Sequence, residues 1–525
     1  MKKLIYITAA FLILISGAGC KKWLDVNTNP NAPQKVAANL YLAPILNNLI
    51  LSQPTDGRYV GKYIQNWAQN ATQDTWDRHG YLYTTADPAG EQWRAVYFLM
   101  GHNLIDMMRI AEEEQRWDLL GIGYILKAWG WQQLTDYHGE IILTQAFDLS
   151  RKTFDYDTQD VVYKEIERLI NLGIDNLKRT DGAVSQSYLT NMDLVYQGDR
   201  TKWLKFAYGF KAMSLNHLSL KGTLYRPQEV IDNIDLAFLS NADDAKMTFL
   251  AAANATSSFW APARDNLTLF RQTNFAVNLM NGTQFGGAVD PRLRRILWPS
   301  ADGNVYGIDP TFGNGALLAN QIPPNLWGST TFGPTLPGNY IFTAKGPYPL
   351  MTYSQLQFIK AEAAFKLGRR DDALTAYKNG ISSHIDFVNT ANATAANPAV
   401  TQITAIEKST FLASAAIPAT GATLRLSDIM SQKYIAQYGW GLMETWTDLR
   451  RYHYMDTDPE VPAVKVFKGF TIPANDRLFP DNQFKPVYRV RPRYNSEWVW
   501  NLETLKKIGG DKLDYHTQIM WLFQP

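Results

Sequence analysis

Apolar residues along this chain recur mostly at three- and four-residue steps, the spacing that paints one face of an α-helix. The period begins near Val36 and dominates until about residue 245, predicting helices over 36–52, 58–70, 91–114, 117–136, 158–178, 199–220 and 227–240. It returns over 350–388, 403–413 and 425–452. Between 246 and 349 it fades into a segment rich in Asn, Gly, Pro, Thr and aromatics, with turn signals at Pro323-Pro324, Phe332-Gly333-Pro334 and Leu336-Pro337-Gly338. Residues 461–525 also read as irregular. Long irregular stretches in a compact protein are more often functional than idle, so a ligand-binding face is expected in 246–349.

The clearest local signature is Ala361-Glu-Ala-Ala-Phe365-Lys-Leu367-Gly368, followed by Asp371-Asp372-Ala373, Tyr377 and Ile381. Gly368 suits the left-handed residue that ends a helix, and Asp371 or Asp372 suits the cap of the next one. Ala373 and Tyr377, four apart, share a face of that helix. This is the pattern of a tetratricopeptide-type helix pair. Two degenerate relatives are expected: Tyr124 to Asp136 with a turn at Tyr137-His138-Gly139 and an element towards Ala146, and Tyr163 to Leu177 followed by the helix at Trp203. Three or more such units are needed to stack into a stable array. Trp93, Trp117, Trp129, Trp131, Trp203 and Phe206 fall at periodic positions and are assigned to core; Asp199 is expected to cap its helix, with Lys202 and Lys205 in solvent.

The N-terminus adds an address. Lys2 and Lys3 precede an apolar run from Leu4 to Ile15, then Ser16-Gly17-Ala18-Gly19 and Cys20. About a dozen apolar residues fall short of the roughly 20 that span a bilayer, so residues 1–19 read as a cleaved export signal. Cys20 is the only cysteine and cannot form an internal disulfide. Gly17-Ala18-Gly19-Cys20 resembles a bacterial lipobox, although Gly17 stands where a Leu-like residue is usual. Cys20 is therefore the expected lipidation site, with residues 20–35 as an Asn/Pro-rich tether. Each buried acyl methylene contributes about 0.8 kcal/mol, enough for two or three chains to hold a protein to a membrane. Asp25, Asn27 and Asn29 mimic the start of a calcium loop, but Pro30 and Val36 occupy the places that need Gly and Glu.

Without Lys2 and Lys3 the chain carries 49 basic and 49 acidic residues, a balance that argues against a nucleic-acid partner. Enzyme signatures are missing: there is no phosphate loop, H-E-x-x-H zinc site or G-x-S-x-G elbow. Gly121-Ile-Gly123 and Gly313-Asn-Gly315 lack the third glycine of a dinucleotide loop, with Leu126 and Leu318 in its place. The seven histidines show no metal-ligand spacing, and no cofactor is implied. Glu112-Glu113-Glu114 reads as a solvated helix face. Two glycosidase carboxylates carry no local motif, so a lipid-anchored glycan hydrolase stays open as an alternative, as does a protein-gripping scaffold of helix pairs.

Several segments, in order along nearly the whole chain, resemble the SusD/RagB family of outer-membrane nutrient-binding lipoproteins. The Cys20-Lys-Lys-Trp23-Leu-Asp25-Val-Asn27-Thr-Asn29-Pro30 stretch is similar to the branch with a short Asn/Pro tether. Trp93-Arg-Ala-Val-Tyr97 with Asn103, and Gly198-Asp199-Arg-Thr-Lys202-Trp203-Leu-Lys205-Phe206-Ala207, resemble family helices. Asp136-Tyr-His-Gly139-Glu resembles an Asp-x-Tyr-Gly-Asp turn, with His138 intervening. Pro349 to Tyr353 leading to Ala361-Glu362-Ala363, and Gln432-Lys433-Tyr434 leading to Trp446-x-Asp448-Leu-Arg450-Arg451, complete the set. The resemblance implies a mainly α fold of four tetratricopeptide-like helix pairs supporting a loop-rich ligand-binding face. It also implies a non-enzymatic lipoprotein on the outer face of the outer membrane, which takes oligosaccharides or peptides and delivers them to a SusC-like TonB-dependent transporter.

Sugar rings stack on exposed aromatic faces while Asn, Asp and Arg bind hydroxyls; peptides use similar aromatics with backbone pairing. Two regions offer that mixture. The first, Trp67 to Tyr83, contributes Trp67, Asp74, Trp76, Arg78 and Tyr81, with Trp76 expected to be exposed among polar neighbours. The second is the irregular segment, with Trp260, Arg264, Trp298, Trp327 and Tyr340.

Overall fold

Pro54 does not stop the first helix. In the computed structural model, which describes residues 36–81, 90–253, 256–393 and 400–525, a single helix α1 (Leu42–Tyr63) runs through Pro54 and replaces the two helices expected over 36–52 and 58–70. A proline inside a helix forfeits one backbone hydrogen bond, and here the apolar face of Ile45, Leu46, Leu49 and Val60 outweighs that loss. The signal segment, Cys20 and the tether lie outside the described residues, as do residues 82–89 with Tyr83. Beyond α1 the chain turns at Gln65 (φ 58°) into a strand, β1 (Trp67–Gln69), not a continued helix. Gly61 makes this possible, because a Cβ there would lie 2.3 Å from the Trp67 ring. β1 pairs antiparallel with β3 (Phe270–Gln272), so the first loop is sewn to the irregular segment.

The helical array follows the predicted order. A short helix, Glu91–Arg94, passes through a π-helical turn at Ala95–Met100 into α2 (Gly101–Glu113), then α3 (Trp117–His138) and α4 (Gln159–Lys178). α3 and α4 cross closely over two glycines: a Cβ on Gly121 would lie 3.0 Å from the Gly173 carbonyl oxygen. The partner of α3 is therefore α4, not an element towards Ala146. Residues 139–158 stay non-helical, held by an Ile141–Asp157 bridge and by Asp157 accepting from the Leu143 and Thr144 amides.

α5 (Arg200–His217) starts on Asp199, whose carboxylate accepts from the Thr201 and Lys202 amides, and buries Trp203 and Phe206 as the spacing predicts. Lys202 and Lys205 are not left to solvent: they bind the Ala242 carbonyl and the Asp243 carboxylate and staple that turn to the helix. α6 (Pro227–Asp235) packs on α5, then α7 (Tyr353–Lys366) pairs with α8 (Arg370–Ala393). Gly368 has φ 75°, the left-handed geometry its position requires. Asp371 and Asp372 are not the cap but the second and third residues of α8, which starts at Arg370, where they still face the positive end of the helix dipole. Ala373 and Tyr377 are both buried, and the Tyr377 ring meets Phe358 of α7 edge-on at 6.2 Å. α9 (Leu426–Ala436) packs on α7, and α10 (Leu442–Arg451) returns to α1. The fold is mainly α, a stack of tetratricopeptide-like helix pairs. β2 (Ala245–Met247) pairs with β4 (Tyr348–Met351) and closes the neck of the irregular segment, which loops out between them.

Ion pairs fasten the helices across the core. Arg451 binds Glu362 of α7 at 2.8 Å and Asp448 at 2.5 Å; Lys433 of α9 binds Asp448 and Glu444 at 2.7 and 3.0 Å. His217 of α5 bridges Glu444 (2.7 Å) and Asp136 of α3 (3.0 Å), and Lys366 stands 3.6 Å from Glu362. Four carboxylates thus meet three fixed cations, and a protonated His217 completes the balance. Burial pulls the His217 pKa down, but Glu444 and Asp136 outweigh it and raise it to about 9. A pKa raised from the free-histidine value near 6.5 gives stability that is fully present below about pH 6.5 and lost as pH rises through 9. Chemical denaturation at pH 6.5 and 9.5 should show a decline of at most about 3 kcal/mol in the natural chain. The decline should be absent in His217→Gln; equal declines in both would remove this role from His217.

Candidate functional site

Three segments of the loop-rich side converge on one another. The first, 70–78, is shaped by Asp74, whose carboxylate caps the Trp76 and Asp77 amides and pairs with Lys62 of α1 at 2.8 Å. Lys62 also donates to Gln69 and lies over the Phe270 ring, so one buried ammonium ties α1, β1 and β3 to this loop. Asp77 is fully buried and accepts from the Gln69 amide at 2.8 Å; burial pushes its carboxyl well above the usual carboxylate range. Arg78 reaches across to the second segment, donating to the Arg477 and Leu478 carbonyls, and Phe479 returns a hydrogen bond to the Arg78 carbonyl. The third is Thr311–Leu317. Arg477 donates to the Thr311 carbonyl at 3.1 Å and places its guanidinium 3.8 Å from the centre of the Phe312 ring.

That third loop turns tightly, with positive φ at Thr311, Gly313 and Gly315. A Cβ at Gly313 would stand 3.4 Å from the Asn70 carbonyl, which brings the loop against the first segment. This third loop, with Asn274, lines a cleft of about 290 Å³ whose walls are Asn274, Ile308, Asp309, Phe312, Asn314 and Leu317. Phe312 is 46% exposed, a large ring held at the surface by a cation, which is the state a stacking platform needs. Asp309 is exposed beside it, and the Asn314 amide oxygen has no protein partner among the described residues. A ring, two amides and a carboxylate around one cleft can bind a C–H face and the hydroxyls beside it.

The family model described as "starch-binding associating with outer membrane", SusD-like, matches residues 30–468. The chain belongs to the SusD-like family. Among solved structures it is similar to a SusD/RagB family protein from Bacteroides thetaiotaomicron, with a TM-score of 0.68, 22% identity and coverage of 93% of this chain and 99% of that one. It is also similar to a SusD homolog from Bacteroides fragilis (TM-score 0.67, 18% identity, 93% and 100% covered). A third is a chitin-binding SusD homolog from Flavobacterium johnsoniae (TM-score 0.62, 18% identity, 92% and 98% covered). No curated protein matches the sequence. At these identities the structures establish the SusD-like fold alone. The family motifs read in the sequence fall in the scaffold: Asp199 and Trp203 cap and anchor α5, while Asp136, Glu362, Lys433, Asp448 and Arg451 form the buried ion network.

Most of the ring residues singled out in the sequence are core in this SusD-like fold. Trp76 is 4% exposed, not solvent-facing as expected: its ring stacks on Tyr59 at 4.6 Å and meets the Tyr81 ring edge-on at 5.5 Å, pinning the 70–78 loop to α1. Trp67, Tyr81, Trp260, Trp327 and Tyr340 are likewise buried. Trp67 meets Trp260 edge-on, and the Trp327 indole donates to the Trp260 carbonyl. Tyr340 hydrogen-bonds His384 at 3.3 Å. Trp298 is partly exposed, its indole donating to the Leu326 carbonyl and its ring seated on Gly328; Arg264 donates to the Ser257 carbonyl. Asp74 and Arg78 are part of the converging loops but act on backbone and Lys62, setting loop shape. Phe312, Asn314 and Asp309, which line the cleft, are not among the residues singled out in the sequence. The available signal was Thr311-Phe312-Gly313-Asn314-Gly315, an aromatic in a glycine turn.

Proposed function

We propose that this SusD-like protein captures an oligosaccharide in the cleft beside Phe312 and passes it to a SusC-like TonB-dependent transporter. The exposed Phe312 ring, braced by Arg477 above Asn274, Asp309 and Asn314, is the observation that carries this reading. The starch-binding description of the family and the chitin-binding homolog support a glycan as ligand. The role is binding without turnover. Titration of protein lacking residues 1–20 with chitin- and starch-derived oligosaccharides, followed by calorimetry, tests it. Saturable binding without product release is expected; steady release of shorter glycans, abolished by changing one carboxylate, would replace capture with hydrolysis.

The same reading places the protein on the membrane through lipid on Cys20. No helix of the described residues is long and apolar enough to cross a membrane. Cys20→Ser is expected to move the protein from the membrane fraction to the soluble fraction of the producing cell. Retention of the variant in the membrane at the natural level would contradict the lipid anchor.

A further inference from the structure

A second cleft, of about 500 Å³, opens where α3 and α4 face the loop at 143–147, and it shares no lining residue with the Phe312 cleft. Its volume falls in the range of small-molecule sites. Trp131 of α3, Leu143, Phe147 and Val161 of α4 give it apolar walls. Phe147 has φ 66°, a left-handed backbone that costs a bulky residue on the order of 1–3 kcal/mol. Its ring is slotted over Gly101, where a Cβ would lie 2.2 Å away, and His102 meets it at 5.3 Å. The fold thus holds a strained aromatic side chain as a wall of this cleft.

The charges around it are not balanced. Arg168 forks onto Glu165 at 2.7 and 2.8 Å, and Lys164 pairs with Asp160 at 3.4 Å. Lys127, half-buried on α3 between them, has no hydrogen bond or ion pair among the described residues. Glu165 is the carboxylate that acts on it, and that carboxylate is already taken by Arg168. Burial lowers the Lys127 pKa, as expected for an ammonium losing water without gaining a partner. One unpaired cation beside apolar walls matches one negative charge on a flat apolar body.

We propose that this cleft is a second ligand site, which takes a small ring-bearing monocarboxylate, its carboxylate on the Lys127 ammonium and its ring between Phe147 and Leu143. The proposal does not depend on the glycan reading of the Phe312 cleft. Calorimetric titration of the protein lacking residues 1–20 with benzoate, and with benzamide as its neutral match in shape, tests it. Benzoate should bind at least about tenfold more tightly than benzamide, since the amide carries no negative charge to pair with the ammonium. Lys127→Gln should remove that preference, Lys127→Arg should keep it, and Phe312→Ala should leave it unchanged. Equal affinity for the two probes, no binding of either, or a benzoate preference that survives Lys127→Gln would overturn the assignment. The comparison of probes on the natural chain decides the matter even if a variant fails to fold.

Discussion

Replacing Arg451 by methionine is expected to lower the stability of the fold by about 3–5 kcal/mol, the cost of removing one partner from a buried ion pair. Arg451 is fully buried and binds Glu362, Asp448 and the Ser219 hydroxyl. Its guanidinium, together with Lys366 and Lys433, holds the Glu362 carboxyl well below the usual carboxylate range against the opposing effect of burial. Methionine fills a similar volume but leaves Glu362 and Asp448 in the core with one cation fewer. The effect should exceed that of any single surface pair: Arg109 with Glu113 and Lys506 with Glu503 lie in solvent, where water and salt screen the attraction. Urea denaturation of both forms measures it. A loss below about 1 kcal/mol would mean that the network can re-pair around the gap.

The second large effect is on binding. Phe312→Ala is expected to weaken oligosaccharide affinity by about 2 kcal/mol, or roughly 30-fold, as truncation of a central aromatic contact does. Stability should change little, because the ring is 46% exposed and touches chiefly Arg477. Trp76→Ala should behave in the opposite way: its buried ring, packed between Tyr59 and Tyr81, would be missed first in the melting temperature. Calorimetry together with thermal unfolding separates the two residues. Unchanged affinity in Phe312→Ala would remove the ring from the site.

The sequence was most readable where one local rule acted alone. Asp199 capped its helix, Gly368 took the left-handed turn, and the core tryptophans of α3 and α5 fell on the predicted faces. It misled where tertiary packing overrode the local rule. Pro54 reads as a break, yet the buried face of α1 carries the helix through it. Three residues of strand at Trp67 are too short to show an alternating pattern, and their pairing with Phe270–Gln272 lies some two hundred positions away. Tryptophans in the irregular segment read as ligand platforms because their neighbours are polar. An irregular segment still needs a core of its own: Trp67 and Trp260 meet edge-on there, and the Trp67 and Trp327 indoles donate to backbone carbonyls. Phe312, by contrast, is an exposed ring of that segment, presented by flanking residues with positive φ and braced by an arginine far along the chain.

Hydrogen exchange of the protein with and without a bound chitin- or starch-derived oligosaccharide tests the central claim most directly. Slowed exchange is expected in the amides of Asn70–Arg78 and Ile308–Leu317, with those around Lys127 and Trp131 unchanged. Protection confined to the helical array, with none in the Phe312 loop, would contradict it.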